Sequence, residues 1–299
     1  MSAITVIYKE RSKFLLGNDA LSDVKFVVPL SIDGETSSAV KTVIPAHRFV
    51  LAIASPVFFA IFRGSLAAET SEHIHLHDCD YEGMLEFLRF VYTGEARFNG
   101  NNVLHLLYLA EKYMIESLTK RCTLFLWDHL DSSNVFCVLK HSKLIENKSL
   151  LRSCWKFIDK ECKDVLESAE FLEVDKMDLI ELVKRNTLNI KEIDLFVAIN
   201  RWAEKECEKL KFEAHGKQWR QILGEQIIKN LRYPVMEENE FRDIVCNTEL
   251  LSLNETRELL NYFSDRSSPV HFLQTVRQYD PSTERRVLYH RGQIWDIFD

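Results

Sequence analysis

Residues Ile44 to Glu69 read IPAHRFVLAIASPVFFAIFRGSLAAE, and the reading of this stretch decides the fold. Between Phe49 and Phe62 almost every residue is apolar, yet Pro56 divides the run. The run is too short for a membrane span, which takes roughly 18 or more apolar residues. His47 to Ala54 reads as one short helix. Ser55-Pro56 then supplies an N-cap and a proline at the first helical position, where the missing N–H costs nothing. A second helix over VFFAIF follows and ends near Gly64. Two short apolar helices in succession predict a helical hairpin buried on both sides.

Upstream, SDVKFVV (Ser22 to Val28) and VKTVIPAH (Val40 to His47) are β-branched runs separated by a loop with Asp33-Gly34 as its turn signal. They predict a β-hairpin with residues 41–44 facing 24–28. Downstream, HIHL at 73–76 reads as a third strand. A helix over YEGMLEFLRFVYTGE keeps Met84, Leu85, Leu88 and Val91 at helical spacing and is stopped at Thr93-Gly94. Further helices are read at 101–113 and 115–130. Strand, strand, helix, helix, strand and then helices is an α+β order, not the alternation of a parallel βαβ sheet.

After Asp131-Ser132-Ser133 no strand-like run appears before about residue 268. Helices are read at 133–144, 149–162, 177–185, 191–208, 219–229, 238–246 and 254–263, the last with Asn254 as N-cap. A series of this kind is an all-α bundle or stack. SDRSSP at 264–269 reads as a linker, and the last 30 residues alternate weakly enough to begin a β-rich module.

The chain has 299 residues, a net charge of -7 and only nine glycines. That sign disfavours phosphate backbones. Lys205, Lys209, Lys211 and Lys217 are interleaved with Glu204, Glu206, Glu208 and Glu213, a solvated helix face. The seven cysteines (79, 122, 137, 154, 162, 207 and 246) form no CxxC pair, so reduced thiols in a cytoplasmic or nuclear setting are expected. The N-terminal MSAITVIYKERSKF lacks the apolar core of a signal peptide. GxGxxG, GxxxxGK[ST], GxSxG and HExxH are all missing, so no enzyme activity and no cofactor are expected. Trp155, Trp202 and Trp219 fall at core-like helix positions. His73, His75 and His77 would share one face of a strand, where three imidazoles could ligate zinc. The plainer reading is an antiparallel strand with Ile74 and Leu76 inside and the imidazoles in water, and no metal is expected.

The blocks SDVKFVV, IPAHRFVLAIASPVFFAIFRGSLAAE, HIHLHDCDYEGMLEFLRFVYTGE and VLHLLYLAEKYMIESLTKRC together resemble the BTB/POZ family. The later stretch FLEVDKMDLIELVKRNTLNIKEIDLFVAINRWAEKEC resembles the BACK domain. The resemblance implies an N-terminal extension (1–20), a BTB/POZ domain (21–130) and a three-box and BACK helical domain (131–263). The remainder (264–299) would be a linker and the possible start of a truncated PHR-like module. It further implies a homodimer and a substrate-specificity adaptor of a cullin-3 RING ubiquitin ligase. The protein substrate is unnamed, and neither nucleic acid nor membrane is a partner. Carried onto this chain, the dimer contacts are Asp23, His47, Arg48, Phe49, Val50 and Ile53. The cullin contacts are Phe62, Leu66 and Glu69. Two residues separate Leu66 from Glu69, where the family's hydrophobic-x-Glu element has one, so Ala67 takes the strict position. The alternative is a non-ligase scaffold or transcription-associated protein that uses the fold only for self-association.

Overall fold

The structure, a computed structural model, describes residues 12–30, 41–63, 72–211 and 216–278. It divides into two compact units, one of residues 1–130 with 140–150 and one of 131–139 with 151–299. The Asp33-Gly34 turn lies outside the described residues.

In the first unit β1 (Val24–Pro29) pairs antiparallel with β2 (Lys41–Ala46), with Val24 opposite Ala46 and Val28 opposite Thr42. Helices α1 (Arg48–Ala54) and α2 (Pro56–Arg63) follow, as the proline between them requires. Ser55 joins the two. Its hydroxyl donates to the Tyr113 carbonyl at 2.6 Å and accepts the Phe58 N–H at 3.2 Å. Strand β3 (His73–His75) then lies on the free edge of β1, giving the order β2-β1-β3. It runs parallel to β1, not antiparallel as expected. The helical connection returns the chain to the end where β1 starts, so β3 enters in the same direction.

Helices α3 (Tyr81–Thr93), α4 (Val103–Lys112) and α5 (Glu116–Asp128) complete this unit. Asp80 caps α3 by accepting the Gly83 N–H at 2.7 Å, and Gly94 ends it at φ +70°, a left-handed conformation that suits glycine. The core of the unit holds Val24, Phe26, Val28, Leu51, Phe58, Met84, Phe87, Leu88, Leu106 and Leu107. Phe58 is its aromatic centre, stacked on Tyr113 at 4.2 Å and edge-on to Phe26 at 5.9 Å. Leu85 and Val91, read as part of the α3 stripe, are only half-buried, and Phe87 takes the inner position.

The helical hairpin is not buried on both sides. Leu51 and Phe58 are the buried residues of α1 and α2, whereas Phe49 is 74% and Ile53 71% exposed. The core covers one side of each short helix, although apolar residues surround it.

The second unit is helical, without a strand among its described residues. After α6 (Val135–Leu144), where the division between the units falls, come α7 (Lys148–Lys160), α8 (Cys162–Glu167), α9 (Lys176–Lys184) and α10 (Glu192–Leu210). The sequence reading passed over α8, which is under two turns long and too short for a visible period. In α10 the buried stripe Leu195, Phe196, Ile199, Trp202, Ala203 keeps helical spacing, and the Trp202 indole donates to the Val174 carbonyl at 2.9 Å. The helix read at 219–229 is two helices, α11 (Gly216–Leu223) and α12 (Glu225–Asn230). Gly224 at φ +75° breaks them. A π-helical turn covers Phe241–Val245, and α13 (Leu253–Ser264) closes the series. Its N-cap is Ser252, not Asn254: Ser252 and Glu255 form a reciprocal capping box, which sets the cap two residues earlier.

Residues 265–278, read as linker and the first part of a β-rich module, contain no strand and pack against the helical unit. The rest of that module reading, 279–299, lies outside the described residues.

All seven cysteines are free, five of them buried and Cys137 and Cys246 half-buried. Burial pushes the Cys79, Cys122, Cys154 and Cys162 thiols up to about 12, so they sit in the core as inert thiols. Trp155 and Trp202 are core residues, while Trp219 is half-buried. No helix among the described residues is long and apolar enough to cross a membrane.

Candidate protein interaction surface

The candidate surface is the outer side of α1 and α2. It exists because the inner side is fixed by a set of intrachain bonds around its first turn. Asp23, just before β1, accepts the Arg48 backbone N–H at 2.7 Å, and Arg48 Nε donates to the Asp23 carbonyl at 3.1 Å. A carboxylate on the first turn of a helix answers its unpaired N–H groups. Asp23 therefore caps α1 from 25 residues away.

His47, the residue before α1, is 6% exposed. Its Nε2 lies 2.8 Å from the Ala20 carbonyl, which can only accept, so Nε2 carries the proton. Nδ1 then accepts the Tyr92 hydroxyl at 2.8 Å, and that hydroxyl accepts the His47 backbone N–H at 3.0 Å. Each of the three groups is matched. Burial raises the Tyr92 phenol to about 12, keeping it a donor at neutral pH. Tyr92 was not picked out from the sequence. Nothing in its spacing links it to His47, 45 residues away.

With the inner side fixed, Phe49 and Ile53, one turn apart, stand together toward solvent. Val50 beside them is half-buried. On α2, Phe62 is half-buried, stacks on Phe58 at 5.9 Å, and carries the Arg48 guanidinium 5.3 Å above its ring. Phe59, also passed over in the sequence, is 46% exposed beneath Arg63. Thus Asp23 and His47 are committed within the chain, Phe49 and Ile53 are open, and Arg48 and Phe62 stand between. Leu66 and Glu69 lie outside the described residues.

The three histidines do not all fall on one strand. His73 and His75 are exposed on a three-residue strand, and His77 lies beyond its end. Ile74 is half-buried and Leu76 buried. Among the described residues no group of three His, Cys, Asp or Glu side chains is placed to hold a metal ion. Nearby, Asp78 is engaged by Lys112 at 2.6 Å and by the Tyr108 hydroxyl.

Comparison with known proteins gives a BTB/POZ domain over residues 15–130 and a BACK (BTB And C-terminal Kelch) domain over 135–246. The chain is 34% identical over 261 residues to human BTB/POZ domain-containing protein 6, covering 87% of this chain and 47% of that protein. It is 33% identical over 261 residues to zebrafish (Danio rerio) BTB/POZ domain-containing protein 6-B, covering 87% and 52%. Against human BTB/POZ domain-containing protein 3 it is 32% identical over 271 residues, covering 90% and 50%. The chain spans about half the length of the curated relatives it matches. A three-stranded sheet with a helical hairpin, followed by a helical unit and matched in both parts, places the chain in the family of BTB/POZ–BACK domain proteins.

Proposed function

We propose that this chain is a dimeric substrate-specificity adaptor that links a protein substrate to a cullin-3 RING ubiquitin ligase and works in the cytoplasm. Proteins of this domain pair are typically non-catalytic adaptors or scaffolds, BTB domains generally self-associate, and BTB–BACK proteins typically bind cullin-3. The observation that carries the reading is the open α1 face. Two large apolar side chains more than 70% exposed on one short helix are surface that a partner removes from water. A second copy is the proposed occupant of Phe49, Val50 and Ile53, with Arg48 at the rim. An obligate interface there would bury on the order of 2,000 Å² or more. Phe62, with Leu66 and Glu69, forms the proposed cullin contact, apolar anchors beside one carboxylate. In this scheme the chain positions partners and carries out no bond chemistry.

The experiment pairs light scattering with a binding titration of the full chain against the N-terminal region of cullin-3. Nanomolar to low-micromolar binding that weakens at least tenfold in Leu66→Asp/Glu69→Lys supports the adaptor reading. A folded dimer that shows no binding leaves the scaffold reading. The two-residue spacing between Leu66 and Glu69 is the observation that favours this second reading.

A further inference from the structure

The helical unit contains a guanidinium site, and its occupant comes from the end of the described chain. Arg277 is 7% exposed and lies between 47 and 94 residues along the chain from the groups that hold it. Its Nε donates to Glu192 Oε2 at 2.8 Å, and Nη2 donates to Glu192 Oε1 at 3.0 Å and to the Asn230 carbonyl at 3.3 Å. Nη1 donates to the Val183 carbonyl at 2.9 Å and to the Arg185 carbonyl. A guanidinium has five N–H donors in a rigid fork. Here all five meet acceptors: one bidentate carboxylate and three main-chain carbonyls at the ends of α9 and α12.

The residues before and after Arg277 are tied down as well. Arg266 donates to the Pro234 carbonyl at 2.9 Å, and His271 Nδ1 meets Glu258 at 2.9 Å. Phe272 is 7% exposed, edge-on to Tyr233 at 5.0 Å. The Thr275 carbonyl accepts from the fully buried Arg232 at 2.8 Å, and the Gln278 N–H donates to the Asn186 carbonyl at 2.7 Å. Without regular structure of its own, the segment is held at several points by side chains and main-chain carbonyls of the helical unit.

We infer that residues 265–278 are a docked strap, held as an intramolecular ligand in a guanidinium-specific site of the helical unit, so that the chain leaves this unit at a fixed point beside Asn186. A free linker would let a following segment explore a wide volume. A strap ending in a five-donor anchor sets both the place and the initial direction of whatever follows residue 278. This holds whether or not the chain serves a ligase. The site also discriminates: a lysine brings three donors on a point charge and cannot span Glu192 and the three carbonyls together.

Hydrogen exchange followed by mass spectrometry on the full chain tests the proposal. The His271 and Gln278 amides, which donate to Glu258 and to the Asn186 carbonyl, are expected to be protected at least tenfold over free-chain rates. Arg277→Lys is expected to lose at least tenfold of that protection within 270–278 while α3 and α4 exchange as before. Phe272→Ala, which leaves the buried charges untouched, is expected to loosen the same peptide in case Arg277→Lys fails to fold. Free-chain exchange of 270–278 in the unaltered protein would overturn the strap. Full protection retained in folded Arg277→Lys would overturn the guanidinium site.

Discussion

The two units treat their surplus groups in opposite ways. The first leaves Phe49 and Ile53, two large apolar side chains, in water on α1. The second draws Arg232, Arg277 and Glu192 inside, although charged groups lose favourable hydration there. The acid–base contacts differ in the same sense. Asp23 and Arg48 meet at the surface through main-chain bonds that cap a helix, whereas Glu192 and Arg277 meet with side chains 3% and 1% exposed. A buried pair holds position because either partner alone is costly, whereas an apolar face left in water is surface that association can cover. The first unit leaves an apolar helix face in water, and the second fixes its own chain.

Substitutions that remove one member of a buried set should have the largest effects. Arg277→Ala is expected to lower the stability of the helical unit by about 3–5 kcal/mol, since Glu192 is left buried and unpaired. Urea unfolding measures it, and a Glu192→Gln/Arg277→Met double variant should recover much of the loss. Comparable stability with Arg277→Ala would mean that the buried Glu192–Arg277 pair does not hold the second unit together.

Two phenylalanines sharpen the contrast within the hairpin. Phe58→Ala should cost about 3–5 kcal/mol by leaving a cavity among Phe26, Phe62 and Tyr113. Phe49→Asp should change the stability of the isolated chain by only about 0.5 kcal/mol, while light scattering shows loss of self-association. A large melting shift for Phe49→Asp without a change in mass would place that face in the chain's own core after all.

Smaller effects belong to the helix starts. Ser55→Ala removes both the donor to the Tyr113 carbonyl and the acceptor for Phe58 N–H, and about 1–2 kcal/mol should follow. Ser252→Ala should cost about 1 kcal/mol, and Asn254→Ala should cost much less, because only Ser252 caps α13. Thermal melts of the pair decide between the two residues.

The smallest expected effect is a pH dependence. Burial pushes Glu255 upward, but hydrogen bonds from Arg220 and Ser252 outweigh it and hold the carboxyl below its ordinary value of 4.5. A carboxyl lowered in the folded state favours folding above 4.5, and that contribution is lost as the pH falls through the folded value. The helical unit of Glu255→Gln should therefore show a flatter decline in stability below pH 4.5 than the unaltered chain.

Much of this was legible along the chain because the signals are local. Ser55-Pro56 announces the break between α1 and α2, and Gly94 the end of α3, since each fixes its own backbone. The α10 stripe follows from helical spacing alone. The sequence also placed Phe49, Val50 and Ile53 on one helix. The pattern alone predicted burial on both sides, and the outward course of that face escaped it because a helix apolar all round has no marked side. Gly224 was overlooked as a break since a single glycine inside a helical pattern is tolerated often enough. Ser252 lost to Asn254 because both are good caps two residues apart.

What the sequence by itself determined is therefore the α+β order of the first unit, the helical character of the second, and the family to which both belong. The order and helical character depend on periodicity, capping and chain punctuation, which act over a few residues, while the family follows from the resemblance of whole blocks of sequence. Only the tertiary structure decided the parallel course of β3, the open face of α1, the seating of His47 against Tyr92 and Ala20, and the docking of Arg277 on Glu192. Those contacts join groups 27 to 85 residues apart, and no local pattern encodes them. They form only when packing brings together donors and acceptors that burial forbids to remain unpaired.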